Sequence, residues 1–291
     1  MRTGPFLTVL LALSGCRTPS GTDPVAVIPG TVRAADGLPI AYDLRGGGKT
    51  TLLFVHCWAG DRSFWRGELD EFARDYRVVA IDLPGHGESG KERKEWSIAG
   101  LGEDVKRVVG ALDLRRVILV GHSLGGPVSL EAAARLPGRI LGVVGVDTLQ
   151  NADVRLSDEG MRTLAARFEA DFDGTMAEML GSMFAEESAP GVKDWVIAKA
   201  RAANRPAVLA IFRKFPSFDA KEALSAAKVP VRCVNAVAHP PRGMATAVET
   251  NRKYADYDAV LMDGVGHYPM LERPSEFNAR LREVVAALAA R

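Results

Sequence analysis

The chain has 291 residues, 47% hydrophobic and 25% charged, and its 37 basic and 36 acidic side chains leave a net charge of +1. That is enough apolar material for a sizeable core, on a length that suits one domain carrying an insertion. No long basic run points to nucleic acid as a partner, and three cysteines are too few for a disulfide framework.

The first residues concern address rather than fold. Arg2 supplies a positive charge, residues 5–13 are apolar, and Leu13-Ser14-Gly15-Cys16 follows. The apolar run is too short to span a bilayer, so a cleaved signal fits better than an anchor helix. Leu-Ser-Gly-Cys resembles a bacterial lipobox. The resemblance implies a signal peptide over residues 1–15, cleavage before Cys16, a lipid on its thiol, and a protein held at the membrane of the bacterial cell envelope. The other reading is an ordinary secretory signal in which Cys16 is incidental. Residues 16–30, rich in Thr, Pro, Gly and Ser, then form the lipidated tether. Cys57 and Cys233 each sit in or beside a predicted buried strand and read as two unpaired thiols.

Further along, residues 31–35 and 40–45 flank Asp36-Gly37 and predict a hairpin. Residues 51–56 read as a buried strand, and Phe64, Trp65, Leu69 and Phe72 give helical spacing over 63–75. A strand over 76–81, a helix over 97–112 and a strand over 116–120 follow. The next helix begins near Gly126, and further strands cover 140–146, 230–235 and 259–262. Pro274 opens a C-terminal helix to Ala289. Alternating strands and helices predict an α/β fold, a mostly parallel sheet with helices on both faces. Catalytic groups then belong at the carboxyl ends of its strands.

The alternation breaks between Thr148 and Phe218. The expected division is a core over 31–147 and 219–291, with a helical cap over 148–218. Within the cap, Met176, Met179, Leu180, Met183 and Phe184 form one apolar helical face. That face either lines an apolar substrate pocket, where Met adapts to varied shapes, or packs the cap onto the core. Met179, Met183 and Phe184 are the candidate substrate contacts on the first reading.

Gly121-His122-Ser123-Leu124-Gly125 follows the strand Val117-Ile118-Leu119-Val120 and precedes a helix. A serine on a tight strand-to-helix turn, with glycines two residues to either side, is the pattern of a nucleophile elbow. Phe54-Val55-His56-Cys57-Trp58, Asp82-Leu83-Pro84-Gly85-His86-Gly87-Glu88-Ser89 and Gly264-Val265-Gly266-His267 accompany it. Together, in this order and spacing, they resemble the α/β-hydrolase superfamily over roughly residues 30–291. The resemblance implies Ser123 as nucleophile and His267 as its base. The commonest pattern places the acid after the strand that here reads Val231-Arg232-Cys233-Val234-Asn235, but no carboxylate follows it. Some relatives place the acid one strand earlier, which here ends in Asp147. Asp147 is therefore the candidate acid, the alternative being a structural cap at the turn. The oxyanion hole falls to the amides of Leu124 and Trp58, with Cys57 standing where the superfamily usually has glycine. The Trp58 indole either floors the acyl pocket or fills core. His56, His86 and His122 read as local structural groups, and Asp82 likewise.

Gly46-Gly47-Gly48-Lys49-Thr50 lacks the earlier glycine of a phosphate loop, since position 43 is Asp43, and a strand follows it. No metal-binding motif is present, and no cofactor is expected. The implied function is a serine hydrolase cleaving a small-molecule carboxylic ester through an acyl-enzyme. Cleavage of a C–C bond, a lactone or a thioester on the same triad is the enzyme alternative. A hydrolase-like binding protein with little turnover is the other.

Overall fold

The computed structural model describes residues 25–155, 157–188, 190–237 and 244–291; Cys16, the signal segment and His239 lie outside them. Eight strands form a single sheet: β1 (Ile28–Arg33), β2 (Pro39–Arg45), β3 (Thr51–Val55), β4 (Arg77–Ile81), β5 (Val117–His122), β6 (Ile140–Val146), β7 (Val231–Ala236) and β8 (Tyr257–Met262). Their spatial order is β1-β2-β4-β3-β5-β6-β7-β8. β1 and β2 are antiparallel to their neighbours, and every pairing from β4 through β8 is parallel. The central strands are unbroken apolar runs because helices cover both faces; Leu52, Leu53, Phe54, Val55 and Val117 to Val120 are fully buried.

The core helices are α1 (Arg66–Phe72), α2 (Ile98–Ala111), α3 (Gly125–Ala134), α8 (Ala220–Ala227), α9 (Val248–Asn251), α10 (Pro269–Glu272) and α11 (Pro274–Ala289). Between β6 and α8 run α4 (Asp158–Ala170), α5 (Phe172–Gly181), α6 (Pro190–Arg201) and α7 (Arg205–Phe212), the inserted helical cap. Their starts follow from local chemistry: Ser157, Asp171 and Asn204 each accept a hydrogen bond from an amide of the first turn. Among the described residues no helix is long and apolar enough to cross a membrane.

The structure modifies several expectations. The helix predicted over 63–75 is two pieces, because the Asp61 side chain accepts from Ser63 N and starts a short 3-10 turn, Arg62–Trp65, before α1. The apolar face over Met176–Phe184 is not one helix. α5 stops at Gly181, where helix propensity is weak, and the Ser182 and Met183 amides close the last turn onto Glu178 and Leu180. Met176, Leu180 and Phe184 are buried, while Met179 and Met183 are partly so. α9 and α10 are four residues each, too short to give a period. Cys57 and Cys233 are both free and buried, as two unpaired thiols require.

Candidate active site

Ser123 sits at φ +52°, in the left-handed region that a serine rarely enters. The turn from β5 into α3 forces this, and its two glycines are steric necessities. A Cβ on Gly121 would lie 2.2 Å from Gly125 O, and one on Gly125 would lie 2.2 Å from Val55 O. The serine is held by its backbone: its N–H donates to Val146 O at 3.1 Å, and its carbonyl accepts from Thr148 Oγ1 at 2.8 Å. α3 begins two residues on, so its N-terminal dipole favours negative charge near the side chain.

Asp147 directly follows β6 and is itself at φ +41°. Its carboxylate spans two donors. Oδ2 accepts from His267 Nδ1 at 2.6 Å, and Oδ1 accepts from Ala236 N at 3.0 Å. β7 therefore contributes an amide that orients the carboxylate, where the commoner arrangement has the strand supply the acid. A proton on Nδ1 leaves Nε2 as the lone-pair nitrogen of His267. His267 is fixed at both ends of its main chain: its N–H donates to Met183 O at 2.8 Å, and its carbonyl accepts from His122 Nε2 at 2.7 Å. The His122 and His267 rings lie 4.8 Å apart. Ser123, Asp147 and the His267 loop are thus brought together at the carboxyl ends of β5 and β6.

Loop 56–60, after β3, is ordered by two histidines. His56 Nδ1 donates to Cys57 O and its Nε2 accepts from Leu83 N, at 2.7 and 2.9 Å. His86 Nδ1 donates to Pro84 O and its Nε2 accepts from Ala59 N, both at 3.2 Å. Burial pushes their pKa values down to about 4 and about 3, so both stay neutral and keep those roles. Burial likewise holds His122 well below the ordinary value. The Cys57 side chain fits because residue 60 is glycine; a Cβ there would lie 2.8 Å from Cys57 Sγ. Among the described residues the N–H groups of Trp58 and Leu124 donate to no acceptor. Leu124 directly follows Ser123, and a backbone donor without an acceptor among the described residues suits a developing oxyanion.

The Trp58 indole points into the cap. Its Nε1 donates to Val208 O at 2.7 Å, and its ring packs on Phe168 and Phe212 at 5.6 and 5.1 Å. Phe184 stacks on Tyr268 at 4.9 Å. Asp82 is structural, buried and accepting from Arg62 N and Glu88 N. A charged cleft of about 500 Å³ borders Ala59, Asp61, Arg62 and Lys199, but neither Ser123 nor His267 lines it. Sequence reasoning missed Glu272, which bonds to the amides flanking His267; five residues after that histidine, it gave no periodic or motif signal.

Comparison with known proteins agrees with this architecture. Residues 50–183 match the family model described as the alpha/beta hydrolase fold. A pimeloyl-[acyl-carrier protein] methyl ester esterase of Edwardsiella ictaluri is 27% identical over 252 residues, covering 82% of this chain and 94% of that one. The dihydrolipoyllysine-residue acetyltransferase component of the acetoin cleaving system of Cupriavidus necator is 39% identical over 108 residues, but the match spans only 29% of that protein. Among solved structures, Est816, an N-acyl homoserine lactone degrading enzyme, superposes with a TM-score of 0.75 at 26% identity, covering 87% of this chain and 99% of that one. A thermophilic esterase from Thermogutta terrifontis gives 0.76 at 23% identity over 91% and 99%, a likeness of fold alone. With the sheet order, the family match and these neighbours pointing one way, the chain has the alpha/beta hydrolase fold.

Proposed function

We propose that this protein is a serine hydrolase that cleaves a carboxylic ester through an acyl-enzyme. The observation that carries the reading is the 2.6 Å contact of His267 Nδ1 with Asp147, made beside a serine held at φ +52°. Ser123 Oγ attacks the ester carbonyl and gives its proton to His267 Nε2. Asp147 stabilises the imidazolium, and the Trp58 and Leu124 amides receive the oxyanion. The imidazolium then protonates the departing alkoxide, leaving the acyl group on Ser123. Water repeats the sequence, with His267 as base, and releases the acid.

The esterase of Edwardsiella ictaluri, matched over most of both chains, supports an ester substrate. Est816 favours a second reading, a lactone. The chemistry is the same, except that the leaving alkoxide stays tethered to the acyl group. Trp58, Met179, Met183 and Phe184 are assigned to the acyl side of the site, and Leu13-Ser14-Gly15-Cys16 to a lipid anchor on Cys16. Ser123→Ala tests the mechanism. It should lower kcat on p-nitrophenyl butyrate by about a million-fold, and a fluorophosphonate should label the wild type at Ser123 alone. A variant keeping a tenth of the activity overturns the reading. A wild type with neither burst nor turnover on graded esters and lactones leaves a binding protein.

A further inference from the structure

The loop that carries His267 is tied to the cap through a single carboxylate. Glu272, at the end of α10, accepts from Gly266 N at 2.9 Å through Oε2 and from Tyr268 N at 2.9 Å through Oε1. These amides lie immediately before and after the base. The same Oε2 accepts from Ala185 N at 3.1 Å and from the Ser188 hydroxyl, both in the segment that leaves α5. Between them, the His267 N–H donates to Met183 O in that same segment. Three consecutive amides of the base loop are therefore bonded, two of them to one side chain. The contact is close-packed as well. A Cβ on Gly266 would lie 2.2 Å from Met183 O and 2.7 Å from Ala185 N, both backbone atoms. Phe184, between those two residues, stacks on Tyr268.

We propose that Glu272 is a positioning residue for the base, its carboxylate setting the His267 backbone and locking that setting to the docked cap. The proposal rests on the assignment of His267 as base. Glu272 touches neither the imidazole ring nor the serine. It acts through the flanking amides, which determine where the ring leaves the chain and hence whether Nδ1 meets Asp147. All four of its partners are donors, so the site needs acceptors at both oxygens. A carboxamide supplies one oxygen and turns an NH₂ towards N–H groups. An aspartate is one methylene short of bridging the loop and the cap segment together. The arrangement also makes the geometry of the base conditional on the cap, because Met183, Ala185 and Ser188 belong to the segment between α5 and α6.

The test is Glu272→Gln on the full chain, with Ser123→Ala measured beside it. The expected result is a fall in kcat on p-nitrophenyl butyrate of about 30- to 100-fold, as for a reacting group displaced by a fraction of an ångström. KM should stay within about two-fold, since none of the four donors to Glu272 belongs to Trp58, Met179, Met183 or Phe184. By proton NMR, the downfield resonance of the His267 Nδ1–H bonded to Asp147 should broaden or vanish in the variant. A kcat within about three-fold of wild type, or an unchanged resonance, overturns the proposal. If Glu272→Gln does not fold, amide exchange in the wild type decides instead. Gly266 and Tyr268 should be as protected as their neighbours in α10, and free exchange at either refutes the clamp. Activity surviving in Ser123→Ala would sink the serine mechanism alone, since the resonance and the exchange read the clamp without turnover.

Discussion

Asp147→Asn is the substitution on which the proposed mechanism is most exposed. The backbone tolerates it, because Asn accepts a left-handed φ such as the +41° at this position at least as readily as Asp. The carboxylate has two acceptor oxygens facing two donors, Ala236 N at 3.0 Å and His267 Nδ1 at 2.6 Å. An amide satisfies one of them. If its oxygen stays on Ala236, its NH₂ faces the ring and forces Nδ1 to accept. The proton then sits on Nε2, where it blocks transfer from Ser123. If the amide flips, the ring keeps its tautomer but Ala236 N–H is left facing a donor, at a cost of about 1–3 kcal/mol. The flipped form also lacks the negative charge that supports the imidazolium. The loss in kcat should therefore fall between about 10² and 10⁴, the upper figure being that of the wrong-tautomer case in serine proteases and equivalent to about 5 kcal/mol of barrier. Stopped-assay kcat on p-nitrophenyl butyrate measures it, with thermal unfolding as the control for folding. A kcat within ten-fold of wild type, in a protein that melts normally, would refute Asp147 as the orienting acid.

Three further outcomes are expected. Glu68 is buried in α1 with both carboxyl oxygens unpartnered among the described residues, and burial raises its pKa from 4.5 to about 8. The folded chain therefore holds a proton that the unfolded chain releases above 4.5, so stability falls as pH rises from about 5 to 8. Glu68→Gln should match wild type near pH 5 and exceed it by on the order of 3 kcal/mol at pH 8; a gap in urea unfolding that is constant with pH counts against this. Trp58→Phe removes the indole donation to Val208 O while keeping an aromatic ring among Phe168 and Phe212. It should cost about 1 kcal/mol of stability, and an unchanged melting curve would deny that the bond helps dock the cap. Cys16→Ser should leave an uncleaved or misrouted precursor, whereas a wild-type protein that fractionates as a soluble species with a different first residue would dispose of the anchor.

The sheet was legible because its signals are local. Val117–Val120 is an apolar run that only a strand buried on both faces accommodates, and the glycines at 121 and 125 mark a turn whose close approaches exclude any Cβ. The order of motifs from His56 to His267 carried the superfamily in the same way. What surrounds His267 was decided elsewhere. Its carboxylate partner, Asp147, lies 120 residues away, and only the pairing of β6 with β7 brings Ala236 N to its second oxygen. The stripe from Met176 to Phe184 has helical spacing, yet the chain leaves α5 at Gly181, and the Met183 carbonyl then accepts from the distant His267 amide. Glu272 reads in sequence as one more charge before a proline. Its four partners come from two segments some 80 residues apart, and a carboxylate acquires that role only when the fold points unpaired N–H groups at it. Periodicity and turn chemistry write the strands, the elbow and the caps into the sequence. The partners of its polar groups are long-range pairings, and those exist only once the sheet and cap have assembled.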